Sequence, residues 1–258
     1  MPAPKNELKA ALARGEMQVG IWLGLASPVG AELAATCGFD WCLIDGEHGP
    51  NDITSIRGQL QAVQGQGTQA VVRVPASQDW MLKQVLDMGA QSVLVPMVNT
   101  AADARRVARA CHYPPFGTRG VGADMVRASR YNAITDYALT ANEEICVMVQ
   151  VESAEAIENI DQIAATQGVD VVFVGPSDLS SDMGFHAQPD APQVLAAIDH
   201  AAKRIRAAGK TAGIISGNPE KFAGLRDQGF TFLGVGAEVM VLADALRTLS
   251  ATARDKTG

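Results

Sequence analysis

Eight short apolar runs recur along the chain, at residues 19–23, 41–45, 70–74, 92–98, 145–151, 169–175, 212–216 and 230–236. Each is rich in Val, Ile or Leu and apolar on both faces. A strand in a parallel sheet needs that pattern, because helices cover it on either side. Helical patterns fill the gaps, for example DWMLKQVLDMG at 79–89, AADARRVARA at 101–110, SAEAIENIDQIAA at 153–165 and PQVLAAIDHAAKRIRAAG at 192–209. Most stop at or near glycine, a common helix terminator. Eight strand–helix units in 258 residues match the arithmetic of a (β/α)8 TIM barrel. A doubly wound open sheet is the competitor. Regular spacing and the lack of a linker favour the barrel, so the expectation is one α/β domain spanning residues 1–258.

One connection is longer than the rest. Residues 112–144 separate the fourth helix from the fifth strand. Long irregular segments within compact domains are often lids or binding loops, and that is the expectation here.

In a TIM barrel the chemistry lies at the C-terminal ends of the strands. The second run ends in IDGEHGP, placing Asp45, Glu47 and His48 there. The third carries Arg73 just before Pro75, the fifth Gln150 and Glu152, and the sixth runs into Pro176, Ser177 and Asp178. Each has a simpler reading: Arg73 as a structural ion-pair partner, Glu152 as a first-turn acid, Asp178 as a helix cap, His48 as a turn residue. All of them, however, fall on the same end of neighbouring strands. Unpaired charges beside apolar runs are costly, which argues for a shared purpose.

Two carboxylates converging at one mouth must be kept apart, share a proton or hold a cation. Glu152 and Asp178 with water and an anionic substrate suit a hard divalent ion, Mg²⁺, Mn²⁺ or Co²⁺. A zinc site would want more His or Cys. A metal that polarises a carbonyl, a guanidinium beside an enolate oxygen and an imidazole that moves a proton suit carbon–carbon bond chemistry next to a carbonyl. None of the lysines, at 5, 9, 83, 203, 210, 221 and 256, falls at a strand end, which disfavours imine-forming aldolases.

The segments IDGEHGP, VVRVP, KQVLDMGAQSVLVPMV, YPPFGTRGVG, VQVES and VGPSDLSSDMG, in this order and spacing, resemble the metal-dependent pyruvate aldolases. That family includes 4-hydroxy-2-oxoheptane-1,7-dioate aldolase and 2-dehydro-3-deoxyglucarate aldolase. The resemblance implies a barrel whose last helix is exchanged between subunits, in a homohexamer of dimers. It implies metal ligands at Glu152 and Asp178, a base at His48 and an enolate-stabilising arginine at Arg73. Gln150 would bind pyruvate. Ser177, where many relatives have Ala, would offer its amide to the substrate carboxylate. Asp87 would support the histidine of a neighbouring subunit, although the helical pattern alone reads it as solvated. The substrates implied are a pyruvate-type nucleophile and an aldehyde. The alternatives are a barrel lyase acting on acyl-CoA thioesters and a non-catalytic scaffold.

A formal net charge of −7 speaks against nucleic acid as a partner. No apolar run reaches the length of a membrane span, and the N-terminus lacks a signal-peptide core. The four cysteines, at 37, 42, 111 and 146, show no ligand spacing and read as buried thiols, which suits the cytoplasm. Trp22 reads as core, and Arg119, Arg127 and Arg130 as structural or solvated. The alternative for the three arginines is the far end of an anionic aldehyde.

Overall fold

A computed structural model describes residues 1–257. Eight parallel strands close into a barrel: β1 (Gln18–Leu23), β2 (Trp41–Asp45), β3 (Gln69–Arg73), β4 (Ser92–Val95), β5 (Cys146–Val151), β6 (Val171–Val174), β7 (Thr211–Ile215) and β8 (Phe230–Ala237). Each pairs with the next, and β8 returns to β1. The expected α/β barrel is therefore what forms. β4 is shorter than its apolar run suggests. The chain leaves the sheet after Val95, and Met97 adopts a left-handed φ of 56°.

Helices α1 (Glu7–Ala13), α2 (Pro28–Ala35), α3 (Ile53–Val63), α4 (Asp79–Asp87), α5 (Ala101–Cys111), α6 (Tyr137–Glu144), α7 (Ala154–Glu158), α8 (Ile160–Ala164), α9 (Pro176–Asp182), α10 (Pro192–Ala207), α11 (Phe222–Gln228) and α12 (Glu238–Thr257) surround it. That is more than eight for local reasons. α1 precedes the barrel, α6 lies in the long connection, α7 and α8 share one gap split at Asn159, and α9 is an extra turn after β6. Side chains start several helices where expected. Asp52 with Ser55 and Thr100 with Asp103 form reciprocal capping boxes, and Ser153 accepts the Ala156 amide.

The strand period of two sorts the core into two layers. Trp41 and Leu43 of β2, Val71 of β3, Cys146 and Met148 of β5, and Val171 and Phe173 of β6 fill the barrel interior. Trp22 and Phe232 join them, with Trp41 stacked on Phe232 at 4.1 Å. Leu8 and Leu12 of α1 belong to this inner cluster and plug the barrel at the end where the strands begin. The intervening residues, such as Cys42, Ile44, Val72, Val147, Val149, Val172 and Val174, pack outward against the helices.

The long connection departs from expectation. It joins the end of α5 to the start of β5, so it lies at the end of the barrel where the strands begin, away from the strand ends. Arg127 and Tyr131 there share a cavity with Gln69 and Ser92, the first residues of β3 and β4. The segment is no lid over its own barrel's mouth. Three cysteines are buried as expected, but Cys37 is exposed.

Candidate active site

The inward parity of each strand continues into polar residues at the mouth. Trp41 and Leu43 are followed by Asp45, Val71 by Arg73, and Cys146 and Met148 by Gln150 and then Glu152. All four of these polar side chains are buried. Asp45 and Arg73 are direct partners across β2 and β3. Arg73 Nε donates to Asp45 Oδ1 at 2.9 Å and Nη2 to Oδ2 at 2.7 Å, a bidentate pair.

The same Asp45 Oδ1 accepts the amides of Glu47 at 3.0 Å and His48 at 3.3 Å. The turn that carries the imidazole is therefore pinned to the carboxylate that holds the guanidinium. Asn51 Nδ2 closes the turn by donating to the Asp45 carbonyl at 2.8 Å. Gly46 is needed because a Cβ there would lie 2.7 Å from the Arg73 carbonyl oxygen. Glu47 Oε2 lies 2.8 Å from Arg73 Nη1 but makes no hydrogen bond, so that contact is one of charge. His48 Nε2 is 3.9 Å from the same oxygen, and the imidazole itself is well exposed.

Asp45 and Glu47 titrate in opposite directions. Burial pushes both upward. For Asp45 the Arg73 hydrogen bond and charge and the two turn amides outweigh burial, so its carboxyl lies below the ordinary range. For Glu47 burial prevails over Arg73 and His48, and Asp45 and Asp178 add to the rise.

Glu152 Oε1 accepts the Met97 amide at 2.7 Å, and Oε2 accepts Gln150 Nε2. Burial raises the Glu152 carboxyl against these bonds, and the charges of Glu47 and Asp178 raise it further. Gly175 ends β6 beside this group. A Cβ there would lie 2.8 Å from Glu152 Oε2 and 3.2 Å from Gln150 Nε2. The chain then turns into α9, which begins at Pro176 and carries Ser177 and Asp178, both exposed, in its first turn.

His48, Arg73, Gln150, Gly175, Ser177 and Asp178 line one cavity of about 970 Å³. Trp22 forms part of its wall while being buried, so it is both core and pocket. Asp87 is elsewhere. It ends α4, at the far end of the barrel, where Arg119 Nη2 donates to its Oδ1 at 2.8 Å. It is thus partly buried and ion-paired rather than solvated. Arg119 is structural, fully buried and stacked on the Tyr113 ring at 4.4 Å.

This mouth lies on a chain that matches the HpcH/HpaI aldolase/citrate lyase family over residues 18–245. The chain belongs to that family. It is 48% identical over 251 residues to a hydroxypyruvate/pyruvate aldolase of Agrobacterium fabrum, covering 97% of this chain and 94% of that one. It is also 48% identical over 247 residues to a 4-hydroxy-2-oxo-heptane-1,7-dioate aldolase of Shigella flexneri, covering 96% and 92%. A crystal structure of a family member from Burkholderia cenocepacia superposes with a TM-score of 0.93 at 37% identity, over 97% of this chain and all of that one. The aldolase resemblance read from the motifs is therefore borne out.

Proposed function

We propose that the chain is a divalent-metal-dependent aldolase that reversibly cleaves 4-hydroxy-2-oxoacids to pyruvate or hydroxypyruvate and an aldehyde. The observation that carries this reading is the convergence of His48, Arg73, Gln150, Ser177 and Asp178 on one cavity, with Glu152 behind Gln150 and Gly175.

The residues suit a hard cation. Burial raises the Glu47 and Glu152 carboxyls, and the nearby Asp178 charge raises both further, as carboxylates short of positive charge do. The Gln150 Oε1 oxygen is buried without a partner. Among the described residues no three His, Cys, Asp or Glu side chains form a metal cage. Two protein carboxylates, Glu152 and Asp178, would then hold Mg²⁺, Mn²⁺ or Co²⁺ and leave positions for substrate. Such an ion supplies Lewis acidity that polarises the keto group.

The chain's own groups do the rest. Gln150 and the amide at Ser177 orient the substrate carboxylate. Arg73, held by Asp45 along Nε and one side of Nη2 and with Glu47 beside Nη1, lines the cavity, where its free N–H bonds stabilise the enolate oxygen. His48 removes a proton from the pyruvate methyl; the C–H electron pair forms the enolate C=C bond and the C=O π pair moves onto the keto oxygen. The enolate carbon adds to the aldehyde carbon, and the imidazolium of His48 protonates the new alkoxide. Cleavage runs the same steps backward. Oxaloacetate would reach the same enolate by losing CO₂.

Oligomerisation belongs to this reading. α12 has no buried residue, and Val239, Leu242, Leu246 and Leu249 form an exposed apolar stripe along it. Exchange of that helix in a homohexamer would cover the stripe, and Asp87 would meet His48 of a neighbour. Cytoplasmic location rests on the three buried thiols. No helix among the described residues is long and apolar enough to cross a membrane.

A panel of aldehydes offered with pyruvate, and separately with hydroxypyruvate, tests the activity. Carbon–carbon bond formation with at least one aldehyde is expected. No product from any member, and no cleavage of 4-hydroxy-2-oxoacids, would refute it.

A further inference from the structure

We infer that Asp45 is a positioning residue that fixes Arg73 and His48 relative to each other, so that both address the same bound oxoacid. The inference rests on the roles given above to Arg73 and His48.

Three observations carry it. The Asp45 carboxylate spends both oxygens on Arg73, at 2.9 and 2.7 Å. One of those oxygens also receives the Glu47 and His48 amides, at 3.0 and 3.3 Å. Asp45 is itself immobilised. It lies in a strand, is 5% exposed, and has its carbonyl gripped by Asn51. Asn51 Oδ1 in turn accepts from Ser55 Oγ at 2.9 Å and Gln59 Nε2 at 2.6 Å, which ties the turn to α3.

The long stem of an arginine allows its guanidinium many directions. Its direction comes from the fork it meets, and a bidentate carboxylate is the most demanding partner available. Asp45 therefore sets the plane of Arg73. Through the turn amides it sets how far His48 stands from that plane. The other acid near Arg73, Glu47, makes no directed hydrogen bond and cannot substitute. Asp45 does not line the cavity and touches no reacting atom.

The test is a mutant cycle in the metal-loaded enzyme, with folded fraction checked by circular dichroism and kcat expressed per folded site. Asp45→Asn is expected to lower kcat for aldol cleavage by about 10²-fold, the order expected for a misplacement near 1 Å, with a smaller change in KM. In an Arg73→Lys background the same substitution is expected to cost less than about twofold further, because Asn keeps an oxygen for the Glu47 and His48 amides and the guanidinium direction that Asp45 fixed is already lost. A purely structural role would reduce the folded fraction and leave kcat per folded site unchanged. That result, or full additivity with Arg73→Lys, would overturn the inference. If Arg73→Lys alone keeps the wild-type rate, the role of Arg73 itself fails, whatever Asp45 does. Should Asp45→Asn not fold, Asp45→Glu keeps the charge but moves its oxygens by one methylene, and the same cycle is expected.

Discussion

Gly175 has no side chain and no chemistry, yet the site depends on it. Any larger residue would press a Cβ against Glu152 Oε2 and Gln150 Nε2. Gly175→Ala is expected to cut activity at least about tenfold, as displaced catalytic groups do, while the barrel still folds. Steady-state rates beside a thermal melt check both halves. The residue scale also fixes a pH effect. Asp45 has a folded-state value below its unfolded one, so it contributes stability above the unfolded value and loses it as pH falls through the folded one. Asp45→Asn should therefore destabilise most near pH 7, by about 1–3 kcal/mol, since a charged hydrogen-bond partner is lost while Glu47 stays beside Arg73. The penalty should vanish in strong acid. Denaturant titrations of both proteins across pH would show the curves converging, and a penalty independent of pH would contradict the assignment. Much of this was legible in advance, because extending the inward parity of Trp41 and Leu43 reaches Asp45, and that of Cys146 and Met148 reaches Gln150 and Glu152. The pairing of Asp45 with Arg73 was not. It depends on the register of β2 against β3, which no single strand encodes.

At the scale of elements, strands were easier to read than helices. A strand buried on both faces leaves a continuous apolar run, whereas α9 is a seven-residue turn set by Pro176 and has little periodicity to detect. The long connection shows a related limit of sequence: its length is visible there, but the end of the barrel it occupies follows only from strand polarity. α12 invites a direct test. Its stripe of Val239, Leu242, Leu246 and Leu249 recurs at three and four residues, the spacing of a helix face that packs against something. Burying each Leu is worth about 1.5–3 kcal/mol. Leu246→Glu with Leu249→Glu should shift the assembly toward smaller species in analytical ultracentrifugation. An unchanged sedimentation profile would remove α12 from the interface.

At the scale of the whole molecule, the barrel gathers the ends of β2, β3, β5 and β6 at one mouth, while the Arg127 and Arg130 pair sits at the opposite end. That placement disfavours acyl-CoA thioesters, whose phosphates would want basic residues near the chemistry. No lysine stands at a strand end at the mouth, and Lys221 on the cavity wall is ion-paired with Asp190, so borohydride with pyruvate should not inactivate the enzyme. The central claim is that carboxylates, guanidinium and imidazole together make an enolate with the help of a divalent ion. Exchange of the pyruvate methyl protons in D₂O, followed by proton NMR, reads that step with no aldehyde present. The expected result is exchange that stops on exhaustive chelation and returns with Mn²⁺, Co²⁺ or Mg²⁺. Glu152→Ala and Asp178→Ala should block its return, and His48→Ala should slow it by about 10²–10⁴-fold. Undiminished exchange in protein verified to be free of metal would contradict the account.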